Sequence, residues 1–204
     1  MKGFITSLCL FAALGLVSCD ETARLAKELP GSWAGTPENI SDNTAVTATI
    51  LETIDITADD SAVAKGSHGG VVTIAGMLSA TTQFVGDQAE PVSLTASAKS
   101  LVSGTWTAID DDEVAVILDI STLTVNVDPD AVTINNSILN GEAAPQIDSM
   151  KPAVISTIAE SMKRTLATRY TSLRRLDDVK VKGPLLKFEI GKTDYVFTRQ
   201  GDRQ

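Results

Sequence analysis

The sequence predicts a mainly β chain, an antiparallel meander interrupted by one long amphipathic helix. Three observations carry this. Apolar residues recur with a period of two through most of the stretch 45–135. Clusters of Gly, Pro, Asp and Asn break that stretch about every 10 residues. One segment, 147–173, changes to an apolar repeat of four.

Taken in order, a short helical lead-in comes first, with Ala23, Leu25 and Leu29 near one face and Pro30-Gly31 ending it. Between Ala45 and Thr57 the residues Val46, Ala48, Ile50, Ile54 and Ile56 share one face of a strand. Glu52 falls on that same face and interrupts it. After the turn-rich segment ADDSAVAKGSHGG, alternation resumes through Val72, Ile74, Gly76 and Leu78, and again through Val92, Leu94, Ala96 and Ala98. Val102 to Ile109, centred on Trp106, reads as a further short strand. The turn Asp110-Asp111-Asp112 leads into Val114, Val116, Leu118 and Ile120. Leu123, Val125 and Val127 then precede the turn Asp128-Pro129-Asp130, and Val132 and Ile134 continue briefly.

The helix is expected from about Ile147 to Leu173. Met150, Val154, Ile158, Met162, Leu166 and Tyr170 make its apolar stripe, and Ile155 widens it. Lys151, Glu160, Lys163, Arg164 and Arg169 fall on other faces. Pro152 is expected in the first turn, where its missing N–H does little harm. Core packing against the sheet is the expected use of the stripe, and a partner-binding face is the alternative. Strands return afterwards. Val179 and Val181 alternate with lysines, Gly183-Pro184 turns the chain, and Leu186, Phe188 and Ile190 form the next strand. The turn GKTD leads into Tyr195-Val196-Phe197-Thr198-Arg199.

The N-terminus carries an address. Lys2 precedes an apolar run from Phe4 to Val17, shorter than the roughly 20 residues a membrane-spanning helix needs. The run ends in Leu16-Val17-Ser18-Cys19, which resembles the lipobox of bacterial lipoproteins. That resemblance implies a signal peptide over 1–18, cleavage before Cys19, and lipid on its thiol. Each buried methylene of such a lipid contributes about 0.8 kcal/mol, so several chains would anchor the protein to a membrane. Residues 19–30 are then the lipidated N-terminus and lead-in, and 31–204 a single domain. Asp20-Glu21 resembles inner-membrane retention signals in some bacteria and surface-export signals in others. The side and leaflet of the membrane therefore stay open.

Composition excludes several function classes. Loss of residues 1–18 lowers the 17 basic residues to 16 and leaves all 26 acidic ones, moving the formal charge from −9 to −10. An acidic domain is a poor partner for nucleic-acid phosphates. Of the two cysteines, Cys9 lies in the signal segment and Cys19 is the lipid site, so no thiol remains for a disulfide, metal or nucleophile. The single histidine, His68, sits in the loop sequence KGSHGG with no other nitrogen or sulfur ligands for zinc and no nucleophile elbow. The acids Asp110–Glu113 and the pair Asp128 and Asp130 lie at hairpin turns, where solvation is the ordinary role, and they lack calcium-loop spacing. No catalytic residue, cofactor or metal is expected.

A family resemblance lies in the mature chain. Gly31-Ser32-Trp33 after a short helix is similar to the G-x-W that opens the first strand of lipocalins. Arg199, in the last strand, matches the basic residue that packs over that tryptophan in the wider calycin group. LPGSWAGTPENI, SGTWTAIDDDEVAVILD, the late helix and FEIGKTDYVFTRQ together resemble lipocalin-like lipoproteins of Gram-negative gut anaerobes. The resemblance implies a meander β-barrel of about eight strands, just wide enough to be filled or to hold one small ligand. It departs from lipocalins in placing the helix before the last strands. A β-sandwich with a packed helix is the structural alternative.

The function these features imply is a membrane-tethered, non-enzymatic lipocalin-like protein of the cell envelope, in the outer membrane. Its barrel would bind a small apolar or amphipathic ligand, with Trp106, Glu52 and Phe188 expected in the interior. The alternative is a filled barrel acting as an envelope interaction module with a protein partner. A hydrolase acting on lipid or glycan is the third reading.

Overall fold

The computed structural model describes residues 22–41, 46–59, 68–84, 92–135 and 144–201. The chain starts with helix α1 (22–28), then strands β1 (Gly31–Ala34), β2 (Glu38–Asn39), β3 (Val46–Ala58), β4 (Gly69–Phe84), β5 (Val92–Ala108) and β6 (Val114–Val127). A 3₁₀ turn (Pro129–Ala131), β7 (Thr133–Asn135) and the long helix α2 (Ala144–Ser172) follow. Strands β8 (Arg175–Lys182), β9 (Leu185–Ile190) and β10 (Thr193–Arg199) end the described chain.

All the strands belong to one antiparallel sheet, in the order β1-β10-β9-β8-β6-β5-β4-β3-β2. The sheet closes on itself, because β1 pairs with β10 on one side (Trp33 opposite Arg199) and with β3 on the other (Trp33 opposite Ile54). This is a single ring of hydrogen-bonded strands rather than the two facing sheets of a sandwich. Two seams of the ring have only two residue pairs each: β1–β10, with Trp33 opposite Arg199 and Ala34 opposite Thr198, and β6–β8, where Val114 pairs with Leu176 and Ala115 with Arg175. Strands β3 to β6 run well past the β6–β8 seam and form an open trough, in which α2 lies.

Period two decides what points inward. Ile50, Glu52, Ile54 and Ile56 of β3 are buried, as are Val72, Ile74, Gly76 and Leu78 of β4. Trp33, Val102, Val114, Leu123, Leu166, Tyr170 and Leu186 are buried to within 1 % of full exclusion. Phe188 stacks on Tyr195 and Phe197, with ring centroids 5.6 and 5.4 Å away, so the expected interior place of Phe188 holds.

Three expectations are corrected. The stretches 92–98 and 102–109 are not separate strands but one, β5, whose face continues through buried Ser100. The polar pair Lys99-Ser100 imitates a turn, yet Lys99 points outward and period two is never broken. Likewise 114–120 and 123–127 form the single strand β6, with a bulge that moves the inward face from even to odd positions. The Ser103 N–H donates to Thr122 Oγ1 at 3.0 Å, and Thr122 Oγ1 donates to the Asp119 carbonyl at 2.7 Å, which fixes the bulge. Asp119 accepts from both the Ser121 N–H and hydroxyl, and these bonds hold its carboxyl below the usual range.

The third correction concerns α2. It begins three residues before the expected Ile147, so Pro152 lies inside the helix rather than in its first turn. The ring there removes one intrahelical donor. Burial of the apolar stripe rises along the helix: Val154 and Ile158 are half-buried, whereas Met162, Leu166 and Tyr170 are buried. Helix α2 therefore sinks into the ring at its C-terminal end and stands away from the trough at its N-terminal end.

Candidate functional site

The two ends of the ring are built differently. At the α1 end, Trp33 is fully buried and its Nε1–H donates to the Leu29 carbonyl at 2.8 Å. The Arg199 guanidinium lies 4.1 Å from the Trp33 ring centroid. Its Nη1 and Nη2 donate to the Pro30 and Glu28 carbonyls, each at 2.9 Å, which caps the carbonyl end of α1 with a cation. Gly31 is required by this contact. Its φ is +144°, and a Cβ there would sit 2.5 Å from Arg199 Nη1.

Trp33 and Arg199 thus meet where the sequence expects them to. Replacing Arg199 with methionine is expected to cost about 2 kcal/mol, from two charged hydrogen bonds and the ring contact. Thermal unfolding of the variant reads this loss, and an unchanged midpoint would refute the closing role.

Behind this closure the interior is filled. Leu29, Ile56, Trp106, Val114 and Phe188 surround a void of about 20 Å³ with no polar lining. A void of that size and character stays dry and accepts no ligand. Trp106 is buried here, donating its Nε1–H to the Thr57 carbonyl at 2.9 Å.

Midway along the ring lies a polar cluster centred on Glu52, the carboxylate that interrupts the apolar face of β3. Glu52, Gly76 and Ser100 are directly opposite one another on β3, β4 and β5. The Tyr170 hydroxyl donates to Glu52 Oε1 at 2.9 Å. Arg169 donates from Nε and Nη2 to Glu52 at 3.3 and 2.9 Å, and from Nη1 and Nη2 to Glu38 at 3.2 and 2.6 Å. Burial and the Glu52 carboxylate push the Tyr170 hydroxyl well above its ordinary range. Burial alone would lower Arg169, but hydrogen bonds and charge from Glu38 and Glu52 outweigh it and raise the guanidinium further. Gly76 leaves room for Ser100 Oγ, which would lie 2.4 Å from a Cβ at position 76. Ser100 Oγ faces the Tyr170 hydroxyl but forms no hydrogen bond of ordinary geometry among the described residues.

Sequence reasoning marks Glu52 as anomalous but places Arg169 only on a face other than the apolar stripe. The missing signal is distance in sequence: 117 residues separate the pair, and only the ring brings them together. The cluster works as a lock between α2 and the sheet. Its acids and base are saturated by one another, and the chemistry it offers is structural.

Beyond the lock, the trough opens into a cavity of about 390 Å³ between α2 and strands β3, β4 and β5. Its cause is legible in the register. Ala48, Ala80 and Ala96 stand opposite one another on three adjacent strands, so a whole row of the sheet carries only methyl groups. The facing side of α2 presents Thr157, Ser161 and Thr165, one turn apart and equally short. The Thr157 hydroxyl donates to the Ala153 carbonyl at 2.9 Å, which leaves its methyl for the cavity. Leu78, Leu94, Ile158 and Met162 complete an apolar lining, and the volume falls within the 300–1,000 Å³ range of ordinary ligand pockets.

The remaining candidates do not converge on chemistry. His68 is half-buried in a loop, where its carbonyl accepts from the Ala108 N–H at 2.7 Å. Asp110–Glu113 form a turn in which Glu113 pairs with Arg175. Asp128 is exposed and caps the 3₁₀ turn by accepting from the Asp130 N–H at 3.0 Å. No group of acids and histidines among the described residues is arranged to hold a metal ion. Cys19 lies outside the described residues. No described helix is long and apolar enough to cross a membrane. No protein-family model, no curated protein and no solved structure matches the chain at a significant level.

Proposed function

We propose that the protein is a membrane-tethered lipocalin-like lipoprotein of the cell envelope that binds a small apolar or amphipathic molecule without transforming it. The observation that carries this reading is the cavity of about 390 Å³ under α2, with a predominantly apolar lining and a trough open to one side. The ring of strands, the Trp33–Arg199 contact at its α1 end and the G-x-W sequence support a calycin-like barrel. The lipobox ending in Cys19 supports the tether, and the outer-membrane location is part of the proposal. Against the simplest form of that reading, the closed end of the ring is filled, so the ligand sits between helix and sheet rather than deep in the barrel.

Native mass spectrometry after gentle purification is expected to show a bound small molecule. Ala80→Phe, which places a ring in the cavity, is expected to abolish it while thermal stability stays within about 1.5 kcal/mol. Wild-type protein recovered only in the free state would sink the proposal.

The second reading, an interaction module of the envelope, is favoured by one observation. Val71, Met77, Leu101 and Ile117 on the outer face of the sheet are between 45 and 72 % exposed. Crosslinking on intact cells separates the two readings, because only this one requires a reproducible protein partner.

A further inference from the structure

The outer face of strands β3 to β6 differs from the rest of the surface. Charged residues make up 21 % of the chain, yet the outward positions of these four strands carry only Asp55, Lys99 and Asp119. Free surfaces are rich in charge, and the buried centres of interfaces are depleted of it. Val71, Met77, Leu101 and Ile117 stand exposed on this face. The hydroxyls around them are engaged with one another or with the backbone. Thr73 Oγ1 and Ser103 Oγ lie 3.5 Å apart, Thr81 Oγ1 and Thr95 Oγ1 3.3 Å, and the Thr57 hydroxyl donates to the Val71 carbonyl at 3.4 Å. These bonds lower the polarity that the face presents to a neighbour.

Strand register arranges the face in rows. Ala75 and Leu101 share one row. Asp55 and Asp119 stand in the row on one side of it, and Met77 and Lys99 in the row on the other. Lys99 is exposed and forms no ion pair among the described residues.

We propose that two copies of the chain pack through this face, sheet against sheet, about a two-fold axis running along the Ala75–Leu101 row. The axis sets Leu101 of one copy against Leu101 of the other. It also carries the Lys99 row of each copy over the Asp119 row of the other, which brings each lysine within one strand of an opposite charge and sets no like charges face to face. At about 4.8 Å between strands and 3.3 Å per residue, the face lets two copies bury up to about 1,300 Å² in all, at the lower end of the range for specific interfaces. An anionic membrane would call for a cluster of basic residues, and this face has one lysine against two aspartates. The inference is independent of the cavity reading, and it gives to a second copy the face that the interaction-module reading leaves to another envelope protein.

Sedimentation equilibrium of the whole chain in density-matched detergent is expected to give twice the mass of one chain. Leu101→Arg, an exposed change that leaves the core untouched, is expected to raise the dissociation constant about tenfold or more by setting two unpaired charges at the centre. Lys99→Met and Asp119→Asn, the second of which keeps an acceptor for Ser121, are each expected to weaken the dimer about fivefold, and the double variant no more than either. A monomeric wild-type chain overturns the proposal, as does a dimer that Leu101→Arg leaves unchanged. Additive losses at Lys99 and Asp119 overturn the two-fold arrangement. Photo-crosslinking from position 101 in intact cells is expected to join two copies, and capture of a different protein or a lipid in their place overturns self-association.

Discussion

Trp33→Ala is expected to lower the stability of the domain by about 4 kcal/mol, the usual scale for emptying a fully buried indole site. Three losses coincide at this position. The indole is completely buried, its N–H is the donor that satisfies the Leu29 carbonyl, and its face is the platform for Arg199. Removing it orphans a carbonyl at the end of α1 and frees the strand pair that closes the ring. Chemical denaturation with the intrinsic fluorescence of Trp106 as probe measures this directly. A loss under about 1 kcal/mol would show that the site collapses easily and that ring closure does not depend on it.

The second large effect is expected at the lock. Arg169→Met leaves Glu52, a carboxylate only 8 % exposed, with the neutral Tyr170 hydroxyl as its one remaining side-chain donor among the described residues. Breaking a buried ion pair from one side typically costs about 3–5 kcal/mol, and the partial exposure of Glu38 places this case toward the lower limit. Adding Glu52→Leu to Arg169→Met removes the stranded charge and is expected to restore much of the loss. That non-additivity distinguishes a desolvated charge from simple loss of packing. Purely additive denaturation energies would remove the lock from the account. Because α2 forms one wall of the cavity, the single variant is also expected to raise hydrogen exchange along the helix.

The strands and their inward faces are legible in the sequence because period two is a local signal. Ile50, Ile54 and Ile56 on β3, or Val72 and Ile74 on β4, need no tertiary context to be placed correctly. The α2 stripe is equally legible through Met162, Leu166 and Tyr170. The lengths of β5 and β6 are not. Lys99-Ser100 and the Asp119–Thr122 segment are polar enough to resemble turns, and only pairing with neighbouring strands shows that each strand continues through them, β6 by way of its bulge.

The site is less legible still. Glu52 stands out as a charged residue on an apolar face, but nothing local indicates that Arg169 and Tyr170 answer it. The cavity is encoded in plain view by Ala48, Ala80 and Ala96, yet an alanine in isolation has no special meaning. Only the register that sets the three side by side turns small residues into space.

Placing α2 between β7 and β8 has a consequence for the order in which the chain can assemble. Strands β3 to β6 join neighbours in sequence, so their contacts are local and quickly made. The final pairing joins Trp33 to Arg199, across almost the whole described chain. Between these events the helix must settle into the trough, since the three closing strands lie beyond it in sequence. During biosynthesis the meander is thus complete while its open side is still uncovered, and residues 175–199, which emerge after it, carry the means of shutting it. The protein stays an unclosed sheet until β10 has been made.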